Sequence, residues 1–428
     1  MKYTLLQCWS DFNKGDLGII QGTIIGIQKL DSEAKIEAIS CFEFDDPRFK
    51  SDHQLLSSCV EQIHPAIFGL LNIKIFGKVR NTALFKLIAM FWNFPRMLFL
   101  LLTPMFFWQI VLNREEQKTV KAIESSDVLI SKGGSFLDCT PSFRTRVGLF
   151  RILFFFLILL KMKKTYYILG QSIGPVYGRL NRLLLNYILK KSKFVFLREN
   201  VCLEKYPYLH VPALSLGFSN DCAFLLPPSA NVPVSFDTAK LNIGVTFRDV
   251  EEKSTEYMAS MVALITHLVS KFKASIYVFP QVSMSTDTDF ELAWNAYSKL
   301  PDRYKSSLHI FSDNYEPAVL KAMYGKMDVF VGTRLHSTIF AIGMGVPSVA
   351  ITYQGTKAQG IFKNIGLENL VLVDELTQEK LIKTVDYLID NRVEIGKMCK
   401  LGEEKARNSA LSAIAKIVEN AHSSRKLV

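Results

Sequence analysis

Residues 327–347, MDVFVGTRLHSTIFAIGMGVP, contain an arginine and a histidine two positions apart, Arg334 and His336. A guanidinium group is a planar fork of donors that matches a carboxylate or a phosphate, and an imidazole exchanges protons near neutral pH. The pair therefore predicts a site that binds and protonates a small anion. The alternative is structural: the arginine pairs with a carboxylate and the histidine caps a helix.

The sequence around this pair predicts the element that holds it. Residues 328–331 have the pattern of a short buried strand, Gly332 and Thr333 end it, and an apolar helical period follows from Ser337. The pair would then lie between a strand and a helix, where the first N–H groups of the helix attract an anion. Ligands of open α/β sheets collect at such carboxyl ends of strands.

Glycine and polar residues follow several other predicted strands at the same relative place. Gly15 would let the backbone approach a ligand closely, and Asn13 and Asp16 could contact that ligand, although a turn with a helix cap explains them equally. The N–H groups of Gly133 and Gly134 could hold an anion. The remaining candidates, each with an alternative as a turn or a surface ion pair, are Gln171, Arg198, Asp221, Arg248 and Lys357.

Strands and helices alternate through both halves of the chain, which predicts an α/β fold with parallel sheets and right-handed crossovers. A length of 428 residues suggests two cores. A stretch rich in proline divides them. We predict an N-terminal domain over residues 1–225, a linker over 226–240, a C-terminal domain over 241–376 and C-terminal helices over 377–428.

Composition limits the classes of partner and compartment. A net charge of +11 and a pI near 9.1 favour anionic partners, but no nucleic-acid-binding signature is present. Seven cysteines without a C-x-x-C pair argue against a disulfide framework or a zinc site, and the amino terminus does not have the pattern of a secretory signal. We therefore expect a cytoplasmic protein, and no carboxylate cluster in the sequence demands a metal.

Two apolar stretches interrupt the first half of the chain, about 63–112 and 147–162. Charged residues and prolines divide the first stretch, so neither of its pieces reaches the roughly 18–20 apolar residues that cross a bilayer. Basic residues flank the second, which suits anionic headgroups. We expect insertions that contact a membrane surface or a partner, and the alternative is that they are buried helices of a large domain.

Several segments, taken in order, resemble the polysaccharide pyruvyl transferase family: NKGDLGI, DVLISKGGSFLD, YYILGQSIGP, FLREN, NDCAF and GTRLHSTIFAIGMGVPSVAITYQGTKAQGIFKNIGL. The resemblance implies two Rossmann-like domains that face a cleft, similar to GT-B glycosyltransferases, with the acceptor on the N-terminal side and the donor on the C-terminal side. It also implies an enzyme that moves the pyruvyl group of phosphoenolpyruvate onto two sugar hydroxyls, forming a ketal and releasing phosphate. No cofactor is expected beyond this donor substrate.

The resemblance assigns roles to the candidate residues. Arg334 and His336 match the family's R-L-H signature, and His336 is expected to protonate the leaving phosphate or the methylene carbon. Arg248 would hold the second anionic group, and Asp221, with Asp16 behind it, would act as base on the acceptor. The further substrate-binding candidates are Arg198, Asn13, Gly133, Gly134, Gln171, Ser337 and Lys357. Lys132 departs from the glycine-rich form of its loop in the family.

Two other functions stay open from the sequence. One is a glycosyltransferase of the same two-domain shape that uses a nucleotide sugar, and the other is a non-catalytic scaffold on a membrane surface. For either enzyme we expect a lipid-linked oligosaccharide as acceptor, in exopolysaccharide or capsule synthesis. The protein would then act in the cytoplasm or as a peripheral protein on the inner face of the plasma membrane.

Overall fold

The computed structural model describes most of the chain. The described residues are 1–68, 73–75, 78–80, 83–250, 254–284, 287–352, 357–373 and 377–425. Part of the predicted apolar insertion at 63–112 therefore lies outside the described residues, namely 69–72, 76–77 and 81–82.

Two compact units divide the chain. The first unit comprises Met1–Asp11, Thr23–Ser219 and Leu411–Val428, and the second comprises Phe12–Gly22 and Asn220–Ala410. The short segment Phe12–Gly22, which the sequence placed in the N-terminal domain, thus belongs to the second unit.

A parallel sheet of eight strands forms the framework of the first unit. Its strands are β1 (Lys2–Cys8), β2 (Lys35–Ser40), β3 (Gln62–His64), β6 (Val128–Ser131), β7 (Gly134–Leu137), β8 (Tyr166–Ile173), β9 (Val195–Leu197) and β10 (Leu216–Phe218). They are ordered β10-β9-β8-β6-β1-β2-β3, and β7 pairs with β8. A separate antiparallel pair consists of β4 (Ile73–Ile75) and β5 (Lys78–Arg80). All eight residues of β8 are buried, as is typical of parallel strands covered on both faces.

Helices connect these strands. They are α1 (Lys14–Leu30), α2 (Pro47–Ser51), α3 (Gln54–Ser57), α4 (Ala83–Leu102), α5 (Arg114–Ser125), α6 (Phe143–Lys161), α7 (Arg179–Lys191) and α8 (Val201–Lys205), with a 3-10 helix at Met105–Ile110. The first turns of α1 belong to the second unit.

The second unit contains a parallel sheet of six strands. These are β11 (Asn242–Thr246), β12 (Ser275–Val278), β15 (Leu308–Ile310), β16 (Val329–Gly332), β17 (Ser348–Thr352) and β18 (Val371–Val373), in the order β15-β12-β11-β16-β17-β18. A short antiparallel pair is formed by β13 (Ser283–Met284) and β14 (Asp287–Thr288). Two parallel sheets, each with helical crossovers, confirm the predicted α/β fold with two Rossmann-like domains.

The helices that follow the strands of the second sheet complete the fold. They are α9 (Ser254–Phe272), α10 (Asp289–Lys299), α11 (Asp302–Lys305), α12 (Pro317–Tyr324), α13 (Leu335–Ile342), α14 (Lys357–Ile365), α15 (Gln378–Asp390) and α16 (Arg392–Arg425), with 3-10 helices at Cys222–Leu225 and Glu368–Leu370. The last residues of α16 belong to the first unit.

The two apolar stretches of the first half differ in burial. The stretch 147–162 lies on α6, whose leucine, isoleucine and phenylalanine side chains belong to the core of the first unit. α6 is therefore a core helix, which is the alternative that we weighed against membrane contact. In contrast, α4 buries Asn93, Met97 and Leu100 on one side but exposes large apolar residues on the other. Within the described part of the chain, no helix has the length and apolar character needed to span a bilayer.

A close contact between α1 and the backbone at Cys222 depends on glycine at position 22. A Cβ atom on Gly22 would overlap the backbone carbonyl oxygen of Cys222, and backbone atoms cannot move aside as a side chain can. We expect Gly22→Ala to destabilise the second unit by roughly 1–3 kcal/mol, the usual cost of overpacking. The measurement is the melting temperature, which should fall.

Gly148 on α6 provides the matched control. A Cβ atom there meets no other atom within 4 Å, and alanine is favoured over glycine in a helix by about 0.5–1 kcal/mol. Gly148→Ala should therefore melt at or above the wild-type temperature. If the two variants melted alike, the tight packing at Gly22 would be refuted.

Candidate active site

The strand order of the second sheet defines where a ligand is expected. β11 and β16 are neighbours, and the chain proceeds from β11 to β12 on one side and from β16 to β17 on the other. The carboxyl ends of two such strands form the crevice that binds ligands in open α/β sheets. β11 ends at Thr246 and β16 at Gly332, so the turn at 333–336 lies at this crevice.

Hydroxyl groups hold the turn between β16 and α13. The Thr246 hydroxyl accepts the Thr333 N–H at 3.2 Å and lies 2.9 Å from the Ser337 hydroxyl, which donates to the Arg334 carbonyl at 2.6 Å. Ser337, which we predicted to bind substrate, is fully buried. Its hydroxyl therefore serves the turn in this structure.

The amino end of α13 presents unpaired donors. The backbone N–H groups of Leu335 and His336 occupy the first turn, and neither donates to another group within the described residues. Such N–H groups carry partial positive charge. They therefore offer an anion a place beside the imidazole, as the sequence predicted.

Arg334 forms a buried ion pair with Asp289 at the start of α10. Its Nε and Nη2 donate to Asp289 Oδ1 at 2.9 and 2.7 Å, while Asp289 Oδ2 accepts the N–H groups of Gln281 and Val282 at 2.8 and 3.0 Å. Burial raises the pKa of Asp289 above its usual value, and the Arg334 guanidinium opposes this rise. Arg334 thus adopts the structural alternative that the sequence left open, because these two donors brace the loop after β12.

His336 lies between a glycine and a carboxylate. Its Nε2 is buried 3.5 Å from Asp221 Oδ2, and Asp221 Oδ1 accepts the Ala223 N–H at 2.9 Å. On the other side, Gly15 is so close that any Cβ at that position would overlap the imidazole ring. The Asp221 carboxylate is fully buried. In this structure it is therefore a partner of His336, whereas the sequence had assigned it to the acceptor hydroxyl.

The segment that carries Gly15 is fixed to the second unit by its backbone. Lys14 donates its N–H to the Gln281 carbonyl at 3.1 Å, and Ser283 donates its N–H to the Phe12 carbonyl at 3.1 Å. These bonds attach the start of α1 to the loop after β12. The same loop donates a backbone N–H to Asp289. This loop therefore supports both Gly15 and the ion pair between Arg334 and Asp289.

Asn13 and Asp16 bond to each other at the amino end of α1. Asn13 Nδ2 donates to Asp16 Oδ2 at 2.7 Å, and the Asp16 N–H donates to Asn13 Oδ1 at 3.3 Å. This is the turn and cap that we weighed against ligand binding. Both side chains are only partly buried.

Two buried side-chain nitrogen atoms of the second unit make no hydrogen bond within the described residues, although one of them, on His336, lies 3.5 Å from Asp221. They are His336 Nε2 and Gln281 Nε2, and the Gln281 Oε1 atom accepts the Tyr324 hydroxyl at 3.2 Å. Buried polar nitrogens are usually paired, so the unpaired amide nitrogen of Gln281 indicates a place for a ligand or a water. Across the described ranges, no group of three or more His, Cys, Asp or Glu could hold a metal ion.

The first unit brings a second group of predicted residues together at the ends of β8 and β9. Arg198 donates from Nε and Nη2 to the Ser172 hydroxyl at 2.9 and 2.7 Å, and Ser172 donates to Glu199 at 2.8 Å. Gln171 Nε2 donates to the Lys132 carbonyl at 2.5 Å. Arg198 and Gln171 are almost fully buried, so here they organise strand ends and present little surface.

The other predicted residues lie at the expected strand ends. Gly134, with a φ of +137°, begins β7 and pairs with β8, and the Gly133 carbonyl accepts the Lys132 ammonium at 3.3 Å. Arg248 is exposed beyond β11, and Lys357 is the partly buried first residue of α14.

Sequence reasoning missed Asp289, Gln281 and the partner of Gly15. The sequence placed a polar loop at Gln281 and a helix near Asp289, but nothing in the local pattern connects either residue to Arg334. Gly15 was expected to let the backbone approach a ligand. The structure shows that its backbone closely approaches the His336 imidazole.

Comparisons with known proteins agree with this architecture. The family model "Polysaccharide pyruvyl transferase" matches residues 13–355. "Amylovoran biosynthesis protein AmsJ" from Erwinia amylovora is 23% identical over an alignment of 450 positions, which covers 95% of this chain and 96% of that protein.

Two solved structures share the fold. A putative UDP-N-acetylglucosamine 2-epimerase from Listeria monocytogenes matches with a TM-score of 0.58 at 12% identity, over 96% of this chain and 94% of the other. The "Glycotransferase of kitacinnamycin" matches with a TM-score of 0.54 at 9% identity, over 98% of both chains. The chain thus has the GT-B type of fold.

Removing the Asp289 charge tests the brace on Arg334. We expect Asp289→Asn to lower the free energy of unfolding by roughly 3 kcal/mol, near the lower end of the 3–5 kcal/mol lost when one partner of a buried ion pair is removed. The lower end applies because the Arg334 side chain keeps some contact with solvent. Thermal melting measures the effect.

Asp302 is the matched control, since it pairs with Lys305 at 2.7 Å on the surface. Asp302→Asn should leave the melting temperature almost unchanged, because water screens exposed pairs. Equal and small effects of the two substitutions would contradict a structural role for the Arg334–Asp289 pair.

Proposed function

Since the chain belongs to the polysaccharide pyruvyl transferase family, we propose that it transfers the pyruvyl group of phosphoenolpyruvate to two hydroxyl groups of a sugar in a polysaccharide precursor. The products are a pyruvate ketal and inorganic phosphate. The observation that carries this proposal is the pairing of His336 with Asp221 at the crevice of the second sheet, with Gly15 against the ring. A transferase that handles an anionic donor needs a proton-transfer group beside an anion-binding place.

The donor chemistry fits the amino end of α13. Phosphoenolpyruvate carries a phosphate and a carboxylate on a three-carbon frame, and unpaired backbone N–H groups at a helix start favour such anions. The N–H groups of Leu335 and His336 are available there among the described residues. We assign one anionic group of the donor to these N–H groups.

The proton balance of ketal formation sets the task of the imidazole. The two acceptor oxygens form bonds to C2 of the enol, and the bond from C2 to the phosphate oxygen breaks. One hydroxyl proton ends on the methylene carbon, which becomes a methyl group, and the other leaves with phosphate. A group that accepts and returns protons beside C2 therefore serves both transfers, and His336 is that group.

The geometry distinguishes the two imidazole nitrogens. His336 Nε2 is buried against Asp221, whose carboxylate is inaccessible, so Asp221 orients the ring. We therefore assign proton exchange with the substrate to Nδ1, on the side of Gly15. Asp221 is a positioning residue in this mechanism, and Arg334 positions the turn through Asp289.

Replacing the imidazole tests this assignment. We expect His336→Ala to lower phosphate release from phosphoenolpyruvate by roughly 100-fold or more, the usual contribution of acid–base catalysis. Donor binding should largely survive, because the N–H groups of α13 remain. Phosphate release with a panel of lipid-linked glycans measures turnover, and the rise in melting temperature with phosphoenolpyruvate measures binding.

The exposed His422 provides the control, and His422→Ala should retain both properties. Gly15→Ala should share the loss of turnover, because its methyl group would displace the ring. Unchanged turnover in His336→Ala would remove the histidine from the mechanism. Stabilisation by a nucleotide sugar and not by phosphoenolpyruvate would favour a glycosyltransferase instead.

We further propose a lipid-linked acceptor, which the protein meets at the cytoplasmic face of the membrane. One face of α4 exposes Phe91, Trp92, Phe94, Leu98 and Leu102, and we call this set the α4 apolar face. The 3-10 helix at Met105–Ile110 adds further exposed apolar side chains. Aromatic and aliphatic side chains on one side of a helix suit the boundary between headgroups and acyl chains.

The charges near this face are compatible with anionic headgroups. Arg96 points inward, where it donates to the Val111 carbonyl and lies 3.4 Å from Glu116. α6, which packs against α4, carries exposed Arg146 and Lys161 towards its two ends. A helix face that inserts apolar side chains beside such basic residues binds anionic bilayers more strongly than neutral ones.

Vesicle binding tests the membrane contact. We expect the double variant Phe91→Ser, Trp92→Ser to bind anionic vesicles at least tenfold more weakly than wild type, since each buried aromatic ring contributes roughly 1.5–3 kcal/mol. Trp294→Ser on α10 is the control, because Trp294 is also half-exposed but lies in the second unit. Equal sedimentation of all three proteins with vesicles would refute the α4 contact.

A further inference from the structure

A cavity of about 240 Å³ lies in the first unit at the carboxyl ends of β1 and β2. Its walls include Trp9, which directly follows β1, and Glu43, which lies shortly after β2. Arg144, Gly148 and Arg151 from α6 also line it. The cavity thus lies on the side of the sheet, at the carboxyl ends of the strands, where open α/β sheets bind ligands. The volume is below the roughly 300–1,000 Å³ of sites for drug-sized ligands, so it suits a single sugar ring.

Two aromatic rings line the cavity. The ring centroids of Trp9 and Phe42 are 5.0 Å apart at an angle of 41°. The guanidinium of Arg48 lies over the Phe42 ring at 4.5 Å and forms two hydrogen bonds with Asp46, at 3.0 and 2.6 Å. Arg48 and Asp46 therefore neutralise each other, and the partly exposed Trp9 ring offers apolar surface for the C–H face of a sugar.

The other charged groups give the cavity a positive balance. Arg144 and Arg151 make no ion pair within the described residues. Burial raises the pKa of the Glu43 carboxyl to about 7, although Arg151 opposes the rise. Two guanidinium groups thus face one carboxyl that is only partly ionised at neutral pH, and an anionic ligand group would complete the balance.

We propose that this cavity binds one anionic sugar ring of the acceptor, with the ring against Trp9 and its carboxylate or phosphate at Arg144 and Arg151. Glu43 exchanges hydrogen bonds with the ring hydroxyls. The role of this sugar as the acceptor rests on the pyruvyl transfer proposed above. The binding of an anionic sugar in the cavity does not depend on that transfer. Phosphoenolpyruvate alone would leave the aromatic wall without a role.

Gly148 permits a direct test. It lines the cavity on α6, and a Cβ atom there meets nothing within 4 Å, so a larger side chain extends into open space. Gly148→Leu should fill the cavity while melting at or above the wild-type temperature, because leucine favours a helix over glycine. Arg151→Gln is the second variant, which keeps the cavity open but removes a charge.

The ligands are methyl glucuronide, glucose 1-phosphate and neutral methyl glucoside, and binding is measured by saturation-transfer NMR and calorimetry. We expect wild type to bind one or both anionic sugars at least tenfold more tightly than the neutral one, and the one that binds identifies carboxylate or phosphate. Gly148→Leu should lose this binding at least tenfold, and Arg151→Gln should lose the preference for the anion.

His336→Ala separates this proposal from the proposed function. It should bind the anionic sugar as wild type does, because His336 belongs to the second unit. Sugar binding without any pyruvyl transfer by wild type would defeat the proposed function and leave the cavity proposal standing. Undiminished binding by a folded Gly148→Leu protein, or equal binding of neutral and anionic sugars, would overturn the cavity proposal.

Discussion

The absence of a side chain at residue 15 is the constraint on which the second unit's site depends. Only glycine lets the start of α1 lie against the His336 ring without overlap. That contact joins the first residues after β1 to a sheet whose strands begin more than two hundred residues later in the chain. The imidazole is thereby held from one side by backbone and from the other by Asp221.

Two pairs of side chains have different tasks in the site. Arg334 and Asp289 are closely bonded and mostly shielded from water, and Asp289 also accepts two backbone N–H groups. This pair fixes loop positions. Asp221 and His336 are farther apart, at 3.5 Å, and the imidazole keeps contact with solvent. The looser pair is the one suited to proton exchange, because its imidazole is not fully enclosed.

The local sequence pattern predicted some features of the structure but could not predict others. The strand, break and helix around Gly332 were predictable because the hydrophobic period changes over a few residues. The α/β fold followed from the same alternation. The partner of Arg334, Asp289, lies 45 residues away, and the partner of Gly15 lies farther still, so no local pattern could indicate them.

Composition also could not separate the two apolar helices. α4 and α6 are both rich in leucine and phenylalanine, yet α6 is packed into the core while α4 exposes one face. The difference arises from what covers each helix, which depends on the whole fold. The same limit applies to the cavity at Trp9, since its lining residues come from three separate elements.

The location of bound phosphoenolpyruvate tests the central claim most directly. A crystal structure of the protein with this donor should show one anionic group at the N–H groups of Leu335 and His336, with C2 of the enol beside the imidazole. An ordered donor bound elsewhere, with His336 and the start of α13 untouched, would contradict the assignment of this site.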